Sequence, residues 1–242
     1  AQQRTGRKLG VIFQTRYTKS VEKLKALIDA GYFGRILSAR SYLTWNRPHT
    51  YYEGSDWKGT WDREGGGVLI DQAIHSMDRV RYMLGSDIEW IEGSVHNHCH
   101  DTVRVEDAAE AAIQFKNGCI YNLYACNSYA SDAPITIEFQ GEKGRCGLIQ
   151  DMGFYEADGC YTEIRNTYET TSVGPDYWGS SHHLQLRDFY DSILYDRPVA
   201  IDAMEGRKTL EMVKGIYLSS LERKRIYLPF EDVCYKDLNT PK

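Results

Sequence analysis

Asp71 and His75 stand four residues apart, directly after Gly65, Gly66 and Gly67 and at the start of an apolar-periodic run. Residues at that spacing project from the same face of a helix. A carboxylate in the first turn is stabilised by free N–H groups and the positive dipole end, so Asp71 is expected to stay ionised. It could then orient His75 one turn later for proton transfer. The three glycines permit close approach of another backbone or of a ligand. From spacing alone, a glycine-rich turn carrying a structural Asp–His pair fits equally well.

Further residues with usable chemistry lie in Asn46–Gly66, a connection too long to be idle in a compact domain. It contains Arg47, His49, Tyr51, Tyr52, Trp57, Lys58 and Trp61, which offer π-faces for sugar rings and cations for hydroxyls or phosphate. The segment His96-Asn-His-Cys-His100 concentrates metal-ligand types. In a strand its histidines would be spaced at about 7 Å, too wide for one tetrahedral ion, so a solvated strand end is expected. Asp71, His75 and Asp78 lack further ligands for a coordination shell, and no metal site is expected. His182-His183 opens a later helix and could place an imidazole in a pocket. No dinucleotide-binding, Walker or nucleophile-elbow motif occurs in the sequence.

The elements that must position these groups follow from periodicity. Ala1 to Gly6 reads as the last turn of a helix capped by glycine, and Leu9–Phe13 as a short buried parallel strand. A chain opening in this way implies a preceding α/β domain. Ser20 is expected to cap a helix with Val21, Leu24, Leu27 and Ile28 inward, followed by a strand over Arg35–Trp45. The central helix runs from Val68 to Leu84, closed by Gly85. Strands are then predicted over 88–97, 108–116, 119–128, 135–140, 146–150, 155–158 and 161–168, the second and third joined at Asn117-Gly118. Helices over 182–195 and 203–222 and a strand over 225–230 precede a polar tail expected to be mobile. The fold class is α+β, with a large, mainly antiparallel open sheet and helices on one face.

The 242 residues are long for one domain and short for two, and could bury roughly 70–75% of the unfolded surface. Hydrophobic content of 42% and charged content of 26% are ordinary for a globular chain. A net charge of −5 argues against nucleic acid or an anionic membrane as partner, and no apolar run approaches bilayer-spanning length. Six scattered cysteines without a paired spacing read as reduced thiols, consistent with a cytoplasmic location.

The ordered set Leu9-Gly-Val-Ile-Phe-Gln-Thr-Arg-Tyr17, Gly31-Tyr-Phe-Gly-Arg-Ile36, Trp57-Lys-Gly-Thr-Trp61, Glu64-Gly-Gly-Gly-Val-Leu-Ile-Asp-Gln-Ala-Ile-His75 and Ser181-His-His-Leu-Gln-Leu-Arg-Asp-Phe189 resembles the Gfo/Idh/MocA oxidoreductases. Arg197-Pro-Val199, Glu205-Gly-Arg-Lys208 and Leu210-Glu211 extend the resemblance over nearly the whole chain. It implies that residues 1–17 are the remnant of an N-terminal Rossmann domain and residues 18–242 a substrate-binding and oligomerisation domain. It also implies NAD or NADP in the full-length protein, bound mainly upstream of Ala1 with none bound to this stretch alone, and a sugar or polyol substrate. The open sheet would form a homodimer or homotetramer. On the matching positions, His75 would exchange a proton with the reacting hydroxyl and Asp71 would support it. Arg16, Trp45, Arg47, Tyr52, Trp57, Lys58 and His183 are the expected substrate or cofactor contacts. Two other readings remain open: a non-catalytic carbohydrate-binding or oligomerisation module, and nicotinamide-dependent non-redox glycoside cleavage.

Overall fold

A computed structural model describes residues 2–166 and 181–230. After the terminal helix turn α1 (Gln2–Thr5) and a 3₁₀ turn over Gln14–Tyr17 comes helix α2 (Lys19–Asp29). Strand β1 (Ile36–Thr44), the short helix α3 (His49–Tyr52), a π-helical turn over Leu69–Ala73 and helix α4 (Ile74–Leu84) follow. The strands β2 (Ile88–His96), β3 (Ala108–Phe115), β4 (Ile120–Cys126), β5 (Thr136–Gly141), β6 (Gly144–Ile149), β7 (Met152–Ala157) and β8 (Cys160–Ile164) then run consecutively. Helices α5 (His182–Leu194) and α6 (Ala203–Glu222) and strand β9 (Ile226–Tyr227) complete the described chain.

All nine strands form one open sheet in the order β8-β7-β6-β5-β1-β4-β3-β2-β9. Only the central β1–β4 pair is parallel, with Ser41 opposite Leu123; every other pair is antiparallel. The α+β expectation is therefore met. Alternation in the strands sends Ala39, Leu43, Tyr121, Leu123, Ile137 and Phe139 to one face, where Val21, Leu24, Met77, Val80, Met212 and Val213 meet them in the core. Burying one such side chain contributes about 1.5–3 kcal/mol. The opposite face is open. It carries an ion-pair row of Arg40, Glu138, Arg145 and Glu156 beside exposed Tyr42 and Tyr227.

Three local expectations are corrected. Leu9–Phe13 forms no strand, and Leu9 and Ile12 are 39% and 43% exposed. With no strand beside it, this segment pairs with a side chain. Gln185 on α5 accepts from Phe13 N (3.0 Å) and donates to Val11 O (2.7 Å). Thr18, not Ser20, caps α2, because Ser20 Oγ donates instead to Asp151 O at 2.8 Å. The eighth strand ends at Ile164, and the predicted stretch beyond 166 and the tail after 230 lie outside the described residues.

Candidate active site

The central helix begins where a loop must pass under another backbone. A Cβ at Gly67 would overlap the Glu106 carbonyl oxygen, and one at Gly66 the Tyr217 hydroxyl, so only glycine fits at either position. The space admits Glu106, a fully buried carboxylate. It accepts from Gly67 N (2.9 Å), Leu69 N (3.0 Å) and Tyr217 OH (2.8 Å). Burial pushes its carboxyl up to about 7, against the pull of the three donors. Glu106 thus satisfies orphan N–H groups at the start of the helix that carries Asp71 and His75.

That start is π-helical over Leu69–Ala73 before the α-helical turns resume at Ile74. An i→i+5 turn is wider than an α-turn, and such turns recur at functional sites. Asp71 and His75 consequently do not make the expected hydrogen bond. Asp71 Oδ2 instead accepts from the Tyr51 hydroxyl (2.7 Å) and from the Gln72 amide. Gln72 in turn accepts from Asn127 Nδ2 at 2.8 Å, so the carboxylate is held by a polar chain reaching β4.

His75 borders a cavity of about 660 Å³ with Trp45, Arg47, Tyr51, Lys58, Asp71 and Gln72. Ile12, Gln14, Thr15 and His182, together with Arg79, Ile135, Gln150 and Asp151, complete its lining. The His75 ring meets Phe13 edge-on at 5.9 Å, and its Nδ1 is buried without a hydrogen-bond partner. Burial, followed by the positive charge of Arg79, lowers the imidazole to about 4. It is therefore neutral at pH 7 and able to accept a proton.

The aromatic loop is pinned from below. His100, 4% exposed, donates from Nδ1 to Asp107 Oδ2 (2.9 Å) and from Nε2 to the Arg47 carbonyl (2.6 Å). Both partners can only accept, so both ring nitrogens carry protons, and the bond to Asp107 raises the imidazole above its usual value. The expected solvated strand end is corrected at this residue. His96 and His98 do stack near the surface, but His100 turns inward, and no group of three metal-capable side chains exists among the described residues. Its raised value means that His100 stabilises the fold fully below the unfolded value near 6.5 and loses this contribution as pH rises through the folded value. His100→Ala should cost about 2 kcal/mol, as loss of charge-assisted hydrogen bonds does. His100→Gln should flatten the alkaline side of the stability profile, which urea titrations across pH would show.

The predicted contacts divide. Trp45, Arg47 and Lys58 line the cavity; Arg47 lies 4.6 Å over the Trp45 ring and Lys58 Nζ 3.6 Å over Tyr51. Tyr52 does not line it: this side chain is buried against His100 at 5.2 Å, one residue past the Tyr51 that does. Trp57 is not among the lining residues and is 46% exposed. His182 replaces His183 in the lining, because successive residues on a helix turn by roughly 100°. Arg16 is also outside the cavity. Its guanidinium makes a bidentate pair with Asp78 (2.6 and 2.7 Å) and reaches Glu205 (3.0 Å), fastening the 3₁₀ turn to α4 and α6. Sequence reasoning missed Gln72, Arg79, Gln150 and Asp151, whereas loop chemistry and the His182-His183 pair single out Tyr51 and His182; the four-residue step from His75 to Arg79 was the visible signal.

With this geometry in hand, likeness to known proteins can be placed. Residues 21–146 match the GFO/IDH/MocA C-terminal domain. The chain belongs to the GFO/IDH/MocA family. It is 25% identical over 93% of its length to the D-glucoside 3-dehydrogenase of Escherichia coli, and 24% identical over 88% to the myo-inositol 2-dehydrogenase of Thermotoga maritima. The aligned stretch spans 67% and 62% of those two proteins. The fold superposes on the WlbA dehydrogenase of Bordetella pertussis in complex with NADH and UDP-GlcNAcA, with a TM-score of 0.80 and 24% identity. That match covers 96% of this chain and 67% of the other. A levoglucosan dehydrogenase in complex with NADH and levoglucosan gives a TM-score of 0.79 at 20% identity, over 92% of this chain and 66% of the other.

Proposed function

We propose that this chain is the substrate-binding part of an NAD(P)-dependent oxidoreductase that oxidises a C–OH group of a sugar, polyol or sugar derivative. The single observation behind the reading is the neutral, buried His75 at a cavity that also holds an aromatic wall and the Asp71 side chain hydrogen-bonded by Tyr51. His75 takes the hydroxyl proton. Asp71 acts through space and through Tyr51, which it fixes against the bound ring. Trp45 and Tyr51 supply apolar faces for a pyranose or cyclitol, and the related dehydrogenases are named for glucosides, inositol and levoglucosan.

NAD(P), when bound, accepts the hydride. No glycine-rich strand–turn–helix that could cradle a pyrophosphate occurs among the described residues, so these residues suit only the nicotinamide end, beside Ile12, Gln14 and Thr15. The same residues adjoin an apolar surface. Leu9, Ile12, Leu186, Tyr190, Ile193 and Leu194 are 39–74% exposed along the N-terminal segment and α5. A surface of that kind calls for a covering partner, and a Rossmann domain preceding residue 18 would supply it. The open sheet face is the proposed surface for a homodimer or homotetramer.

The experiment is reduction of NAD⁺ or NADP⁺ by the complete protein with a panel of pyranoses, cyclitols and their derivatives. Absorbance growth that requires both nucleotide and sugar supports the reading; sugar binding without any reduction contradicts it.

A further inference from the structure

Among the described residues four arginines are buried, and three of them hydrogen-bond a carboxylate. Arg16 holds Asp78 and Glu205, Arg81 holds Glu205 and Thr209, and Arg47 holds Asp132 and the Asn46 carbonyl. Arg79 differs. It is 2% exposed, yet its hydrogen bonding among the described residues is one contact from Nη1 to the Gln150 carbonyl at 3.2 Å. Nε has no acceptor, and the Asp151 carboxylate, 3.7 Å from Nη1, forms an ion pair with it but stands outside hydrogen-bond range. A guanidinium offers five N–H donors in a planar fork suited to a carboxylate, and a buried cation that leaves most of them without an acceptor is costly.

The cost falls at the cavity. Arg79 lines it one turn beyond His75, on the same helix face and about 5–6 Å away between Cβ atoms. That span matches a single sugar ring. The backbone around the guanidinium is also set specially: Gln150 adopts φ 56°, a left-handed conformation that non-glycine residues keep only when the surroundings enforce it. Its side chain, accepting from Ile135 N at 3.1 Å, holds its carbonyl against Arg79. Asp71 is engaged by Tyr51 and Gln72, so Asp151, at 3.7 Å, is the cavity carboxylate that an incoming anion would displace from Arg79.

We propose that Arg79 is a specificity-determining residue that receives an anionic group of the substrate, and that the substrates are sugar acids bearing a carboxylate on the ring that presents its hydroxyl to His75. The proposal rests on the sugar-oxidoreductase reading of the same cavity. It explains why a cation is kept where stability alone would favour a hydrophobic side chain of similar volume.

The test uses residues 1–242 with ¹⁵N-labelled arginine and three probes: D-glucuronate, D-glucose 6-phosphate and D-glucose. Glucuronate should shift the Arg79 Nε–Hε signal saturably, and glucose should bind roughly 10–100-fold more weakly, the share of a charge-assisted contact. Arg79→Met should remove that preference while the melting temperature stays level or rises, and Arg79→Lys should restore part of it. Equal binding of glucose, no saturable shift with glucuronate, or a large fall in melting temperature for Arg79→Met overturns the proposal. Preference for the phosphate ester overturns the carboxylate assignment. The two readings fail separately. Oxidation of glucose and glucuronate by the complete protein at equal KM removes the anion site and keeps the oxidoreductase. Saturable glucuronate binding with no nucleotide reduction by any sugar does the reverse.

Discussion

In the complete protein, His75→Ala should lower kcat for sugar oxidation roughly 10²–10⁴-fold, the usual contribution of a positioned general base. Sugar KM and NADH affinity should change far less. The asymmetry follows from where the side chain sits. His75 has Phe13 against one edge and no protein partner on Nδ1, so its removal breaks no internal hydrogen bond. A structural histidine would behave otherwise, and a matching loss of nucleotide affinity and of thermal stability would assign it that role. Steady-state kinetics together with NADH fluorescence titration separate the two. Asp71→Asn should have a smaller effect on rate, because Asp71 influences His75 only through space and keeps its geometry through Tyr51.

The largest expected loss of stability belongs to Glu106. Alanine there leaves Gly67 N, Leu69 N and the Tyr217 hydroxyl without an acceptor in a site closed to water. Orphaning three buried donors should cost roughly 3–5 kcal/mol, which a urea or thermal midpoint on this chain would register directly. Glutamine retains one acceptor oxygen but turns an amide toward the remaining donors, for about 1–3 kcal/mol. Glu106 is raised in the folded state to about 7, above the unfolded carboxyl. The sign is therefore that its contribution is most favourable below the unfolded value near 4.5, and stability declines as pH rises from there through about 7. Glu106→Gln removes this dependence. The same variant should also lower turnover, since the helix start that aims His75 is built on that carboxylate.

Much of this architecture could be read from the residues. The helix after the glycines ends at Gly85 with φ 57°, and the Asn117-Gly118 turn has Gly118 at φ 89°, because both positions demand a conformation glycine adopts cheaply. The successive strands 88–164 were legible from alternation and turn residues, whereas the parallel pairing of β1 with β4 was not, since register and partner depend on a distant segment. In the candidate site, Arg47 and Lys58 could be read from loop chemistry, and Trp45 from the family resemblance. Tyr52 and His183 each lie one residue from the side chain that lines the cavity, because the phase of a helix start cannot be fixed when both neighbours are aromatic or imidazole. Arg16, Glu106 and Arg79 hid for a different reason. A charged residue in a single sequence reads as surface, and its burial is created by partners up to 189 residues away, as the Arg16–Glu205 contact shows. The π-turn was equally invisible, and with it the separation of Asp71 from His75.

The central claim is that an uncharged His75 accepts the proton as a sugar hydroxyl is oxidised. Its most direct test is the pH dependence of single-turnover hydride transfer in the complete protein. With the imidazole lowered to about 4 by burial and by Arg79, the rate should hold level from neutral pH downward and fall only as pH drops through that value. A fall centred near the ordinary histidine value of about 6.5, or a rate indifferent to replacement of His75, would contradict it.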